Sequence, residues 1–241
     1  MDCPELREDG FLGGRLRVLQ PAKGYRAGMD ALLLAASLEA QPGMALLEAG
    51  CGAGAALLAA AWRLPEARFT GVEREPAMAA LARRNIALNA LEARVAVQEA
   101  NVFAQARTQV FDGVFCNPPF DVEGEARPPA PGKRHAYLSE TGVEGWVRAL
   151  ADRLRGGGAL TMIHRAERLG EILQALEGRL GGAEALPVFP RSGEPAKRVL
   201  VRARKGSRAP LRLLRGLVLH DAGGHSAAAE ALWRGGALAW M

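Results

Sequence analysis

The 241-residue chain has only three cysteines, Cys3, Cys51 and Cys116. They are too few and too scattered for a disulfide framework or a zinc site, and a reducing cytoplasm is the expected setting. The four histidines, His135, His164, His220 and His225, show no metal-ligand spacing, so no metal is expected. His164 reads as a satisfied polar residue at a strand end. No apolar run is long enough to span a bilayer, and no membrane partner is expected. Met1-Asp2-Cys3-Pro4-Glu5 has neither the basic nor the apolar region of a secretory signal. No Ser-His-Asp arrangement or nucleophile elbow is legible, so covalent hydrolysis has no signature here. Repeats and linkers are also missing. One domain is expected, with a hairpin and helix over 1–40, a core over 41–205 and an extension over 206–241.

The chain does contain much Ala and Gly, 49% hydrophobic residues and a formal charge of +5. The basic residues are nearly all Arg, with only Lys23, Lys133, Lys197 and Lys205 as lysines. The charge suits a polyanionic partner, although composition bias accounts for it equally well.

The most informative stretch is Phe111 to Phe120. An apolar strand ends at Asn117-Pro118-Pro119-Phe120, because two prolines cannot continue a ladder. Each proline pushes the residue before it toward extended geometry. An amide, backbone carbonyls and an aromatic ring at a strand end form a receptor for a planar group bearing an amine.

Around this stretch, the pattern reads as alternating strands and helices, hence a doubly wound, mostly parallel sheet. Residues 10–20 suggest a hairpin about Gly13-Gly14. Asp30 precedes an apolar helix and reads as its N-cap or as a carboxylate facing a ligand. The strand at Met44-Ala45-Leu46-Leu47-Glu48-Ala49 runs into Gly50, Gly52 and Gly54, then into a helix reaching Trp62. Glycines there permit a tight turn and close ligand approach. A second strand ends in Glu73, where a ribose diol would be gripped. A helix follows from Pro76 to about Ala90. After a third strand, Asn101 reads equally as a base-edge contact or as a cap for a helix over Val102 to Arg107. The segment 121–134 is a loop rich in Pro, Gly and charge, read as a lid, an RNA-facing arm or a solvated loop.

Further helices are expected at Val143–Leu154 and Ala166–Leu180, with a turn at Gly156-Gly157-Gly158 and a strand at Ala159–Ile163. Two adjacent strands, Ala183–Phe189 and Arg198–Ala203, suggest an antiparallel edge hairpin. A strand over Leu213–Leu219 and a helix over Ala227–Trp233 close the chain.

Glu48-Ala49-Gly50-Cys51-Gly52-Ala53-Gly54, Glu73 and Asn117-Pro118-Pro119-Phe120 together resemble class I S-adenosylmethionine-dependent methyltransferases of the amino-methylating group. Arg26-Ala27-Gly28-Met29-Asp30, Pro195-Ala196-Lys197-Arg198 and Leu217-Val218-Leu219-His220 extend the resemblance to bacterial tRNA(Val) adenine-N6 methyltransferases. That resemblance implies an α/β, Rossmann-like fold with a seven-stranded sheet and an antiparallel edge hairpin. It implies S-adenosylmethionine as cofactor, bound by Asp30, Glu48, Gly50, Gly52, Gly54, Glu73, Asn101 and Asn117. It implies Asn117, Pro118 and Phe120 as the catalytic residues and tRNA as the partner of a monomer. Arg127, Lys133, Arg134, Lys197 and Arg198 are the expected RNA contacts. The same pocket type also serves guanine-N2 methylation of ribosomal RNA and glutamine-N5 methylation of release factors. A non-enzymatic RNA-binding protein on this fold is the remaining alternative.

Overall fold

The structure is a computed structural model that describes residues 5–23, 26–104, 109–119 and 142–240. The chain opens with β1 (Leu6–Phe11) and β2 (Leu16–Pro21), an antiparallel hairpin, followed by α1 (Met29–Ala36). The core then alternates: β3 (Ala45–Ala49), α2 (Ala55–Arg63), β4 (Arg68–Glu73), α3 (Pro76–Leu88), β5 (Val95–Glu99) and β6 (Phe111–Cys116). It continues through α4 (Gly142–Ala151), β7 (Leu154–Arg165), α5 (Leu169–Leu176), β8 (Gly181–Arg191) and β9 (Arg198–Arg204). The tail supplies β10 (Arg212–Leu213), β11 (Leu217–Asp221), β12 (Gly224–His225) and α6 (Ala227–Trp233).

The main sheet runs β12-β11-β8-β9-β7-β6-β3-β4-β5, with β10 beside β8. Strands β3 to β7 are parallel, and β9 is antiparallel to both β7 and β8. The expected seven strands and edge hairpin are therefore present, and the tail lengthens the sheet to ten strands.

Helices cover both faces. Leu46, Phe115 and Ile163 pack into one apolar cluster with α1 and α2. Leu47, Val114, Cys116 and Met162 pack into a second with α4 and α5. Alternation along each strand sends neighbouring side chains into opposite clusters.

Chain order along the sheet steps outward from β3 to β4 and β5, then returns to place β6 beside β3. The gap between β3 and β6 is the switch point, where open α/β sheets leave a crevice beyond their strand ends.

Several boundaries differ from the sequence reading. Asp30 is not the cap of α1: Gly28 holds that place, and Asp30 lies in the first turn. Gly156 to Gly158 are part of β7, in a bulge where pairing jumps from Phe111↔Leu154 to Gly113↔Ala159. Glycine suits a bulge as well as a turn, so composition does not separate the two. The segment expected as a helix from Ala166 to Leu180 is a 3-10 turn (Ala166–Arg168) followed by the shorter α5. The tail strand splits into β10 and β11 around Gly216, whose φ is +85°.

Candidate functional site

The ends of β3, β4, β5 and β6 converge on the switch point. Glu48 on β3 pairs in register with Phe115 of β6, and Ala49 with Cys116. Asn117 and Pro118 leave β6 directly beside the turn that leaves β3.

That turn is built from three left-handed glycines, Gly50, Gly52 and Gly54, with φ of +69°, +54° and +88°. Other residues pay a steric penalty there. Gly50 donates its N–H to Val72 O at 2.8 Å. A Cβ at Gly50 would lie 3.0 Å from the Trp146 ring. Gly71 of β4 lets the turn settle onto that strand, since a Cβ there would lie 2.7 Å from Cys51 Sγ. Gly54 caps α2, so the first-turn N–H groups of that helix face this end.

Glu73 is anchored by backbone on both oxygens. Gly52 N–H donates to Oε2 and Glu75 N–H to Oε1, each at 2.9 Å. A carboxylate oxygen retains further acceptor capacity after one bond, so Glu73 is oriented without being consumed.

Glu48 is 3% exposed. Its Oε2 is buried without a hydrogen-bond partner among the described residues. Burial pushes its carboxyl well above the usual range; the Leu57 N–H at the start of α2 pulls it back, and the Glu73 charge adds to the rise. Burial also pushes up the Cys51 and Cys116 thiols, so neither is a ready nucleophile.

Asn101 follows β5 and accepts the Phe103 N–H on Oδ1 at 3.0 Å, closing the turn over 102–104. The capping role expected for it is therefore present, on a turn; residues 105–108 lie outside the described range. Asp30 pairs with Arg198, Oδ2 to Nε 2.9 Å, which joins α1 to the start of β9. Lys197 is exposed beside it. Phe120, Arg127, Lys133 and Arg134 lie outside the described residues.

His164 ends β7, buried, with Nδ1 accepting the Arg165 N–H at 2.9 Å. Burial, then the nearby Arg168 charge, lowers its pKa to about 4, so it is neutral at physiological pH.

Two asparagines, one on α3 and one at its C-terminal cap, escaped the sequence reading. Asn85, wholly buried, accepts the Leu19 N–H at 2.8 Å and donates to Leu19 O at 2.9 Å. It also donates to Ala53 O, inside the glycine turn, at 2.9 Å. One turn on, Asn89 makes the same two-way contact with Arg17. The hairpin is thus bonded to the glycine turn through one side chain. The only sequence signal was the i, i+4 spacing of two amides on one helix face.

Among the described residues, no group of His, Cys, Asp and Glu could hold a metal, and no helix is long and apolar enough to cross a membrane. A cleft of about 420 Å³ opens at the opposite ends of the strands, lined by Leu38, Asp112, Arg155 and Arg202. Two of its cations are paired within the chain, Arg155 with Asp112 at 2.7 Å and Arg202 with Glu39 at 2.9 Å, whereas Arg204 forms no ion pair with a described residue.

A buried carboxylate oxygen without a donor, a glycine turn open to ligand, and an anchored carboxylate on the next strand fit an amino-acid-bearing nucleoside. S-adenosylmethionine is such a molecule.

Comparison with known proteins agrees. The methyltransferase small domain model matches residues 27–186. The tRNA1(Val) (adenine(37)-N6)-methyltransferases of Yersinia pestis (strain Pestoides F) and Yersinia pseudotuberculosis serotype O:1b (strain IP 31758) are each 32% identical over 120 residues, covering 48% of this chain and 48% of theirs. The chain therefore matches about half the length of these curated relatives. A crystal structure of a predicted O-methyltransferase, Atu636 from Agrobacterium tumefaciens, is 34% identical. It covers 86% of this chain and 97% of that one, with a TM-score of 0.73. TrmN from Thermus thermophilus shares the fold at 22% identity and a TM-score of 0.52, over 73% of this chain and 48% of its own. The chain belongs to the methyltransferase small domain family, within the class I enzymes that use S-adenosylmethionine.

Proposed function

We propose that the protein methylates the exocyclic N6 amine of an adenine in tRNA, the adenine beside the anticodon of a valine tRNA. One observation carries this reading: Asn117 leaves β6 next to the Glu48 and glycine turn on the strand paired with it. In this reading, an amine-binding group and a methyl-donor site occupy adjacent strand ends. The names of the Yersinia relatives support adenine as the nucleotide.

In this reading, Glu48 faces the cofactor's amine and Glu73 accepts its ribose hydroxyls. The backbone of Gly50, Gly52 and Gly54 passes beneath the cofactor, and Asn101 meets its adenine edge. Asp30 acts through Arg198, fixing the wall between α1 and β9. When bound, S-adenosylmethionine supplies an electrophilic methyl group on a positively charged sulfur.

The acceptor nitrogen is a poor nucleophile, because its lone pair is delocalised into the ring. Asn117 Oδ1 and the Pro118 carbonyl accept its two N–H groups. This favours rehybridisation and stabilises positive charge as it develops on nitrogen. Phe120 stacks on the base, a contact worth about 1–3 kcal/mol. Most of the acceleration comes from alignment. A loop base is already partly unstacked, so extruding it costs little.

The test is incubation with S-adenosylmethionine and unmodified tRNA, followed by nucleoside analysis. N6-methyladenosine is expected with the wild type and absent with Asn117→Ala. Methylglutamine on a release-factor peptide, N2-methylguanosine in ribosomal RNA, or a methyl on oxygen would each replace this assignment. Failure to bind S-adenosylmethionine in calorimetry would leave only an RNA-binding role.

A further inference from the structure

The segment 195–220 carries eight Lys and Arg residues and no Asp or Glu, while the rest of the chain has more acidic than basic residues. This positive charge is not concentrated at the acceptor end. There the cations are largely spent on acids of the same chain: Arg165 on Glu167, Arg168 on Glu171, Arg198 on Asp30 and Arg26 on Asp9. Across the outer part of the sheet, from β9 to the tail strands, the pattern changes. Arg204, Arg208 and Arg215 are exposed, and none of them forms an ion pair with a described residue.

The pairing register places these residues along β8. His220 lies opposite Arg191 at the acceptor end, Leu217 opposite Val188 and Arg212 opposite Glu184. Gly182 N–H donates to Ala209 O at the far end. At about 3.3 Å per residue, the run from position 191 to 182 covers about 30 Å. Exposed Arg191 and Lys197 stand at its top and Arg215 partway down. Arg212, which keeps one contact to Glu184 at 3.0 Å, comes next, with Arg208 and Arg204 at the bottom. Two exposed leucines, Leu211 at 51% and Leu213 at 69%, are interspersed.

We propose that this edge is a second RNA-binding surface, a track of arginines that holds the phosphate backbone of the substrate away from the reacting base. The inference rests on the tRNA reading above and gives the 206–241 extension a task. The charged stretch lies beyond residue 186, where the family match ends. A track about 30 Å long whose guanidinium groups are, Arg212 apart, without an ion-pair partner among the described residues suits a structured polyanion, since each planar fork can bind a phosphate in two-pronged fashion. A peptide acceptor would leave these cations without partners along most of the edge.

The experiment is a salt titration of tRNA binding, comparing wild type with the triple variant Arg204→Ser, Arg208→Ser, Arg215→Ser. An unmodified tRNA transcript is the probe. The log–log slope of affinity against salt should flatten by about two to three in the variant, because each lost phosphate contact removes about 0.7–0.9. Calorimetric binding of S-adenosylmethionine and the melting temperature should match wild type. The corresponding triple Lys variant should keep the wild-type slope. An equal slope for wild type and the Ser variant, with tRNA still methylated, overturns the track alone. A wild type that shows no salt-dependent tRNA binding and methylates a release-factor peptide overturns the tRNA reading and the track together.

Discussion

Replacing Glu48 by Gln should stabilise the cofactor-free protein while weakening its hold on S-adenosylmethionine. The wild-type carboxyl is buried, with one oxygen lacking a donor among the described residues, and burial raises its pKa. A carboxyl raised in this way adds stability below its unfolded value, about 4.3, and loses it as pH climbs toward the folded value. Within that window the unfolded chain has released a proton that the native state keeps. Stability therefore falls by about 1.4 kcal/mol per pH unit in wild type, while the Gln variant does not titrate there. Each pH unit inside the window amounts to about 3–6 °C in melting temperature for a chain this long. Melting curves without cofactor, taken from pH 5 to pH 8, should diverge in favour of Glu48→Gln. Saturating S-adenosylmethionine should reverse the order, because its cationic amine compensates the carboxylate only in wild type and ligand binding stabilises by mass action. Parallel curves over that pH range would show that Glu48 ionises normally and would refute the reasoning.

Asn85→Ala removes three hydrogen bonds between 2.8 and 2.9 Å and should cost about 2–4 kcal/mol at about 0.5–1.5 each. Asn85→Asp should be worse at neutral pH, since it turns an acceptor toward the Leu19 and Ala53 carbonyls; chemical denaturation of both variants measures the ranking. Gly50→Ala meets a left-handed φ of +69° and the Trp146 ring at 3.0 Å. It should destabilise by about 2–4 kcal/mol and abolish cofactor binding, and an unchanged calorimetric titration would contradict this.

Much of the core was legible because local chemistry and tertiary context agree there. Leu46 and Leu47 face opposite apolar clusters, and their strand reads directly into three glycines with φ above zero. Pro76 opens α3 as a first-turn proline should. The misreadings occurred where one residue type serves two geometries. Gly156 to Gly158 fit a turn or a bulge, and the bulge arises from pairing with β6, which no local pattern records. Asp30 has the chemistry of a cap, yet Arg198, 168 positions later, takes its carboxylate. Asn85 was invisible for the same reason, since its partners lie 66 and 32 positions away. Residues whose roles are fixed by long-range backbone contacts leave little local trace.

Those long-range contacts also bear on which carboxylate the site holds ready. Along the strand-end edge, Asp9 is held by Gln20 and Arg26, Asp30 by Arg198, and Glu73 by the Gly52 and Glu75 N–H groups. Asp9 and Asp30 are committed to side-chain partners, and Glu73 is oriented by backbone N–H groups with acceptor capacity to spare. Glu48 is different: it is the most buried of the four and keeps an oxygen without a donor among the described residues. A buried, uncompensated carboxyl costs stability, and hydrophobic neighbours of similar volume would remove that cost. Its location at the switch point, beside the glycine turn and one strand from Asn117, makes a cationic ligand the natural compensation. The strain on the empty fold and the affinity for the methyl donor then have the same origin, which is why a single Glu48→Gln substitution should move them in opposite directions.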